Sequence, residues 1–139
     1  MIKVIVFGGL FLLFDQWSKR LAEIHATRHP IACWRLLTIH CVANPCAKLS
    51  GNQTRRLLPL LWLIALACAI ALHNSGSWFG TQTALVGLGL AFSGAAGNVL
   101  DLLRRKYVLD FIDLGWWPVF NMADVGIVAG LVLAFWPRG

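Results

Sequence analysis

Few side chains in this 139-residue chain can do chemistry. The six acids are Asp15, Glu23, Asp101, Asp110, Asp113 and Asp124. Asp124 lies about five residues inside an apolar run that begins near Pro118, and an acid in hydrocarbon costs enough to be a functional suspect by default. Asn121 lies three residues earlier, on the same face of a helix. Asn98 and Asp101 repeat that N-x-x-D spacing at the end of another apolar run. Asp15 precedes Lys19 by four residues, the acid-first order that favours an ion pair within one helix. Two facing carboxylates cannot both ionise, so they share a proton. The ionised one can then draw a proton from water while the protonated one polarises a carbonyl. That chemistry is aspartyl hydrolysis. The spacing nominates Asp124 and leaves Asp101, Asp110 and Asp113 open as its partner. For Asp15–Lys19 and Asn98–Asp101 the plainer role is a polar network that closes helix ends.

Other chemistries find less support. None of the four cysteines, Cys33, Cys41, Cys46 and Cys68, has C-x-x-C spacing, which disfavours a zinc or thioredoxin-type site. The four histidines lack metal-ligand spacing with acids, the glycines of GLGL and GAAG lie in an apolar run, and no G-x-S-x-G is present. No metal or cofactor is expected. A disulfide among Cys33, Cys41 and Cys46 is open if their segment is extracytoplasmic.

The elements that must position these acids follow from composition. The chain is 58% hydrophobic and 13% charged, with a net charge of +6 and a mean hydropathy of +0.70. That is about half the charged fraction of a soluble globular chain. Disordered chains need low hydrophobicity, and nucleic-acid binders carry their charge on a solvated surface. A polytopic membrane protein is expected, as one domain over 1–139. A span takes about 20 apolar residues, and four runs approach this: Ile2–Trp17, Leu57–Leu72, Thr81–Leu100 and Pro118–Trp136. Trp17, Trp78, Trp116, Trp117 and Trp136 fall where an interfacial belt would sit; Trp62 does not. Lys3 and the first run resemble a secretory leader, but no A-x-A-like site follows, so a retained helix is expected. Gly87, Ala91 and Ala95, Ser93 and Gly97, and Gly126 and Gly130 recur every four residues, a spacing that can mark a helix seam. The segment between the first two runs carries seven basic residues, and Ile31–Val42 partly alternates, as a short strand or an interfacial amphipathic element would.

With four alternating spans, every acid falls at or beyond one membrane face, together with ten of the twelve basic residues. The opposite loop, about His73 to Gly80, carries no charge unless His73 protonates. The positive-inside rule would put the charged face in the cytoplasm.

The run GAAGNVLDLLRRKYVLDFIDLGWWPVFNMADVGI resembles the GN-x-x-D, V-x-DFI and FN-x-AD blocks of bacterial lipoprotein signal peptidase, signal peptidase II. DQWSK at the end of the first run is similar to that family's D-Q-x-(S/T)-K. The resemblance is strong over Gly94–Ile127 and 14–20 and weak between. It implies an all-α membrane protein of four transmembrane helices, with a small extracytoplasmic strand or amphipathic element between helices 1 and 2. It also implies cleavage of signal peptides from lipid-modified prolipoproteins, just before a diacylglyceryl-cysteine, in the bacterial cytoplasmic membrane. The dyad it implies is Asp110 with Asp124. Asp15, Asn44, Asn98, Asp101 and Asn121 match polar positions that line the active-site mouth, with Lys19 at the same rim. They would orient the dyad and hydrogen-bond the substrate backbone. Both termini would be cytoplasmic, against the positive-inside count, and the site would lie near the extracytoplasmic face.

Three departures touch the substrate cradle rather than the dyad. The family's N-x-G-A-A-F stretch reads Asn44-Pro-Cys46-Ala-Lys48-Leu49 here. Leu102 stands where an arginine normally follows the GN-x-x-D aspartate, and only 13 residues separate the dyad acids. Expected partners are lipidated prolipoproteins and membrane lipids, with no nucleic acid, and the chain is expected to act as a monomer. Two rival readings are a relative that binds lipidated substrates or partners without cutting them, and a small four-span transporter working through Asp124.

Overall fold

The computed structural model describes residues 2–27, 29–34, 37–44, 52–76 and 81–136. It contains the helices α1 (Ile2–Ala26), α2 (Asn52–Asn74), α3 (Gln82–Arg104) and α4 (Met122–Ala134). Its strands are β1 (Ile31–Trp34), β2 (Leu37–Asn44) and β3 (Val108–Asp113).

Helix α1 runs well past Trp17, the end expected from hydropathy. Asp15, Lys19, Ala22 and Ala26 are all buried, and their spacing of three and four keeps one face against the bundle to the end of the helix. At the start of α3 the Thr81 hydroxyl accepts from the amide of Ala84 at 3.1 Å, an N-cap that supplies a partner for an orphan helix N–H. Helix α4 begins at Met122 rather than Pro118. Phe120 pairs with Ile112 of β3, and Asn121 caps the helix.

Small residues set the packing. A Cβ on Gly87 would lie 2.5 Å from the amide nitrogen of Ala134 and 2.6 Å from the carbonyl of Gly130. Helices α3 and α4 therefore run antiparallel with backbones in direct contact, the close approach that glycine permits in apolar bundles. Gly87, Ala91 and Gly130 form this seam. Gly126 faces the Phe11 ring of α1 and Ser93 faces Gly8, while Ala95 lines a cavity. The four-residue stripes thus serve three different contacts. Helix α1 lies parallel to α3, with Gly97 against Asp15. Trp62 finds its role here: its indole N–H donates to the Phe92 carbonyl at 3.1 Å and its ring meets Phe92 edge-on, tying α2 to α3.

The three strands form one antiparallel sheet in the order β1-β2-β3. The chain is therefore not all-α. Ile31–Val42 falls in the β1–β2 hairpin, as its alternation predicted, but the sheet has a third strand between α3 and α4. Its sequence VLDFID is rich in β-branched and aromatic residues, which suit a pleated half-buried surface. The register sets Val42 opposite Asp110 and Asn44 opposite Val108.

Burial is inside-out. The largest fully buried side chains are Lys19, Asn121, Asp15 and Asp101, whereas Ile5, Leu13, Leu61, Val128 and Trp136 are more than half exposed. Soluble proteins bury these residue types in the opposite order. Among the described residues only α3 is long and apolar enough to cross a membrane by itself. The apolar parts of α2 (Pro59–Asn74) and α4 (Met122–Ala134) are shorter. At about 1.5 Å per residue, the 13 residues of α4 reach about 20 Å, short of the full span expected from sequence. Trp17, Trp116, Trp117 and Trp136 are exposed; Trp78 lies outside the described residues.

Candidate active site

The site is assembled where α1, α3, β3 and the start of α4 meet, and Asn121 is its hub. As the N-cap of α4 its side-chain oxygen accepts from the Asp124 amide at 3.0 Å, and its own amide donates back to Asp124 Oδ2 at 3.1 Å. This is a capping box with an acid at the third helical position, where the helix dipole favours negative charge. The Asn121 Nδ2 then donates to Asp110 Oδ1 at 2.6 Å, and also reaches Asn98 Oδ1 at 3.2 Å and the Leu109 carbonyl at 3.3 Å. One residue thus holds both Asp110 and Asp124. Asn98, one turn before Asp101 on α3, donates to Asp124 Oδ1 at 2.9 Å.

Behind this layer lies a buried ionic cluster. Lys19 Nζ lies 2.9 Å from both Asp15 Oδ2 and Asp101 Oδ2 and donates to Asn98 Oδ1 at 3.0 Å. The Asp15 Oδ1 accepts from the Ala123 amide at 2.8 Å, which locks α1 to the first turn of α4. Gln16 donates to Asp15, Asp101 and the Gly97 carbonyl at 3.1 to 3.3 Å. Arg105 reaches Asp101 at 3.3 Å and Glu23 at 3.0 Å. Desolvating these charges is expensive, and the close opposite partners with further hydrogen bonds offset that cost.

The three acids left open as partners of Asp124 separate by environment. Asp101 is taken up by Lys19, Arg105, Gln16 and the Leu109 amide. Asp113 sits at the edge of the sheet, 3.6 Å from His40 Nδ1 and accepting from the Gly115 amide. Asp110 shares Asn121 with Asp124, and both acids, together with Asn98, line a cavity of about 810 Å³. The rest of that lining is almost wholly apolar, from Trp62, Phe92, Val108 and Leu131 among others. Asp124 also borders a second, smaller groove beside Trp116 and Trp117.

Of the described side chains expected at the mouth, only Asn98 reaches the cavity. Lys19, Asp15, Asp101 and Asn121 are buried to within 1%, so Lys19 stands behind the site rather than at its rim. Its ammonium is drawn inward by two carboxylates, Asp15 one helical turn before it on α1 and Asp101 across on α3. The Asn44 side chain, Cys46 and Lys48 lie outside the described residues; the Asn44 backbone belongs to β2 beside Val108. Leu102 is buried and lines the cavity, putting carbon where the resembled family has an arginine, and Arg105 reaches Asp101 from one turn further on. Cys33 and Cys41 carry free thiols. Burial pushes the Cys41 thiol up from its ordinary range.

Sequence reasoning missed Gln16, Glu23 and Arg105. Gln16 lay inside the quoted DQWSK motif, and its position beside Asp15 was the available signal. Nothing in the sequence marks Glu23 and Arg105 as partners, because 82 residues separate them.

Comparison with known proteins identifies the family and the fold. Residues 7–137 match the model of the family described as signal peptidase (SPase) II. The chain is 35% identical over 136 residues to a lipoprotein signal peptidase of Rhodococcus jostii, covering 92% of this chain and 68% of that protein. A lipoprotein signal peptidase of Syntrophomonas wolfei is 58% identical over a shorter stretch of 45 residues, 32% of this chain and 30% of that one. A solved structure described as a bacterial membrane enzyme superposes with a TM-score of 0.81 at 23% identity, over 96% of this chain and 90% of its own. That likeness shows the fold. By the family match over nearly its whole length, with the relative from Rhodococcus in agreement, this chain belongs to the signal peptidase II family.

Proposed function

We propose that the chain is a membrane aspartic endopeptidase that removes signal peptides from diacylglyceryl-modified prolipoproteins, with Asp110 and Asp124 as its catalytic pair. One observation carries the assignment of the pair: Asn121 hydrogen-bonds both acids at the polar end of an otherwise apolar cavity. The family supports peptide hydrolysis, and the printed function of the relatives supports the lipoprotein substrate.

The pair acts with one proton between its two carboxyls. The ionised carboxylate takes a proton from water as the oxygen attacks the scissile carbonyl carbon. The protonated one gives its proton to the carbonyl oxygen, forming a neutral tetrahedral diol. The C–N bond then breaks as the nitrogen gains a proton from one carboxyl and the diol returns a proton to the other. Asn121 and Asn98 hold the two acids before substrate arrives, so little ordering is left for the reaction step. The apolar walls exclude water from the charges and accept apolar parts of the substrate. Asp15, Asp101 and Lys19 act as the brace of this arrangement. Asn44 is proposed to contact the substrate backbone. No metal or cofactor takes part, and the chain works as a monomer.

The four helices are proposed to lie in the bacterial cytoplasmic membrane, with both termini cytoplasmic and the site toward the extracytoplasmic face. The shortness of α4 fits a locally thinned bilayer. The test is cleavage of a diacylglyceryl-modified precursor by purified protein. Asp110→Asn and Asp124→Asn should each abolish the product band while the thermal unfolding midpoint stays close to that of the parent. Cleavage at the parental rate by either variant refutes the pair.

A further inference from the structure

Pairing the described acids one at a time leaves unbalanced positive charge at one edge of the bundle. Lys19 is taken by Asp15 and Asp101, Arg105 by Asp101 and Glu23, and His40 faces Asp113. Asp110 and Asp124 belong to the cavity. Arg20, Arg104 and Lys106 are exposed, and among the described residues none of them has a carboxylate at ion-pair distance. The pairing of α1 with α3 sets them at adjoining levels along the bundle. Helices α1 and α3 are tied at two levels, Lys19–Asp101 and Glu23–Arg105. Arg20 lies between those levels on α1, and Arg104 and Lys106 flank Arg105 at the end of α3. Lys106 has φ 70°, a conformation that favours glycine, so a cation is kept where the backbone would prefer no side chain.

The depth of this cluster is set by what lies one turn away. Trp17 is 60% exposed and Leu103 50% exposed, so exposed apolar side chains border the cations on both helices. Such a boundary is where an interfacial tryptophan and then the headgroups sit. The cations are exposed and are not part of the cavity lined by Asp110 and Asp124.

We propose that Arg20, Arg104 and Lys106 form a docking surface for anionic phospholipid headgroups in the leaflet that meets the ends of α1 and α3. This rests on the membrane reading above but not on peptidase chemistry. A headgroup phosphate there anchors the ends of α1 and α3, the helices whose side chains brace Asp124 through Lys19 and Asn98.

The test uses the full chain in phosphatidylcholine bilayers, without substrate. Tryptophan quenching by brominated phosphatidylglycerol is compared with quenching by brominated phosphatidylcholine at equal mole fraction. One basic residue near an anionic surface contributes about a fivefold preference, and three contribute more. The parent should therefore prefer phosphatidylglycerol at least about fivefold, and the preference should fall near unity in R20Q/R104Q/K106Q. Should the triple variant not fold, Arg104→Gln should lower the preference and Arg104→Lys retain it. Equal preference in parent and glutamine variants overturns the proposal. So does displacement of the lipid by inorganic phosphate at constant ionic strength, which would mark a site for a free anion. Since no cleavage is read, failure of the peptidase assignment leaves this measurement unchanged.

Discussion

Replacing Asn121 in two ways separates its structural duty from its catalytic one. The side-chain oxygen caps α4 through the Asp124 amide, while the Nδ2 group reaches Asp110, Asn98 and Leu109. Two hydrogens serve those three acceptors, so one is shared, and the shortest contact is to Asp110. Asn121→Ser keeps an N-cap oxygen and the backbone bond to Asp124 but removes every Nδ2 contact. Losing a buried hydrogen bond to a charged group costs about 1.5–3 kcal/mol, which puts the serine variant about 2–3 kcal/mol below the parent. Asn121→Ala also removes the cap, worth about 1 kcal/mol more. Both variants free Asp110 from the group that sets it against Asp124, and a displacement of about 1 Å can cost about 100-fold in rate. The prediction is a graded loss of stability, serine then alanine, with a similar fall of about 100-fold in kcat for both. Unfolding in mixed detergent micelles gives the first quantity, and single-turnover cleavage of a lipidated precursor gives the second. If serine and alanine lose equal stability, the side chain does not cap the helix. If the serine variant retains more than about a tenth of the parental kcat, Asn121 is not what holds Asp110.

Lys19→Met leaves Asp15 and Asp101 facing each other in the interior. It should cost about 3–5 kcal/mol, and Lys19→Met with Asp15→Asn should recover part of that loss in the same unfolding assay. Gly87→Ala drives a Cβ onto the α4 backbone at 2.5 Å, where nothing flexible can yield, and should lower stability by about 1–3 kcal/mol. Gly9→Ala meets nothing within 4 Å and should be neutral or stabilising by up to about 1 kcal/mol. A smaller loss at position 87 than at position 9 contradicts the seam. Cys33 is exposed and Cys41 half-buried, and a raised thiol pKa means less thiolate at a given pH. Maleimide near pH 7.5 should therefore label Cys33 first. The lag at Cys41 should shrink as pH rises toward its pKa, and equal rates for the two thiols would contradict its burial.

Several features were legible in the sequence because they depend on local spacing or on composition. The low charge and high hydropathy excluded a soluble domain. The four-residue spacing of Asp15 and Lys19 predicted an ion pair within one helix turn, which is present, while the spacing that put Asn121 and Asp124 on one helical face proves to be a capping box. The alternation over Ile31–Val42 suggested a short strand or an interfacial amphipathic element, and strands form there. Hydropathy was a poorer guide to helix ends. It stopped α1 at Trp17, although burial of Ala22 and Ala26 carries it on to Ala26. It started α4 at Pro118, although pairing of Phe120 with Ile112 delays the helix until Met122.

Which acid faces Asp124 was beyond local spacing. Asp101, Asp110 and Asp113 are three acids of similar type within a dozen residues, and spacing alone ranks none of them. The fold separates them because α3 delivers Asp101 to Lys19 of α1, while β3 pairs with β2 and carries Asp110 to the cap of α4. Lys19 was misplaced at the rim for a related reason. A lysine in a sequence is assumed to seek water, and only the arrival of a second carboxylate, Asp101 of α3, beside the local Asp15 gives it a buried alternative. What the sequence determined by itself was the set of reactive groups and the solvent they live in, since each is fixed by residue type and near-neighbour period. What tertiary structure decided was their allocation, which two acids share Asn121 and a cavity and which are neutralised. That depends on groups some 80 residues apart being brought within 3 Å, a distance over which a buried charge is either balanced or left to react.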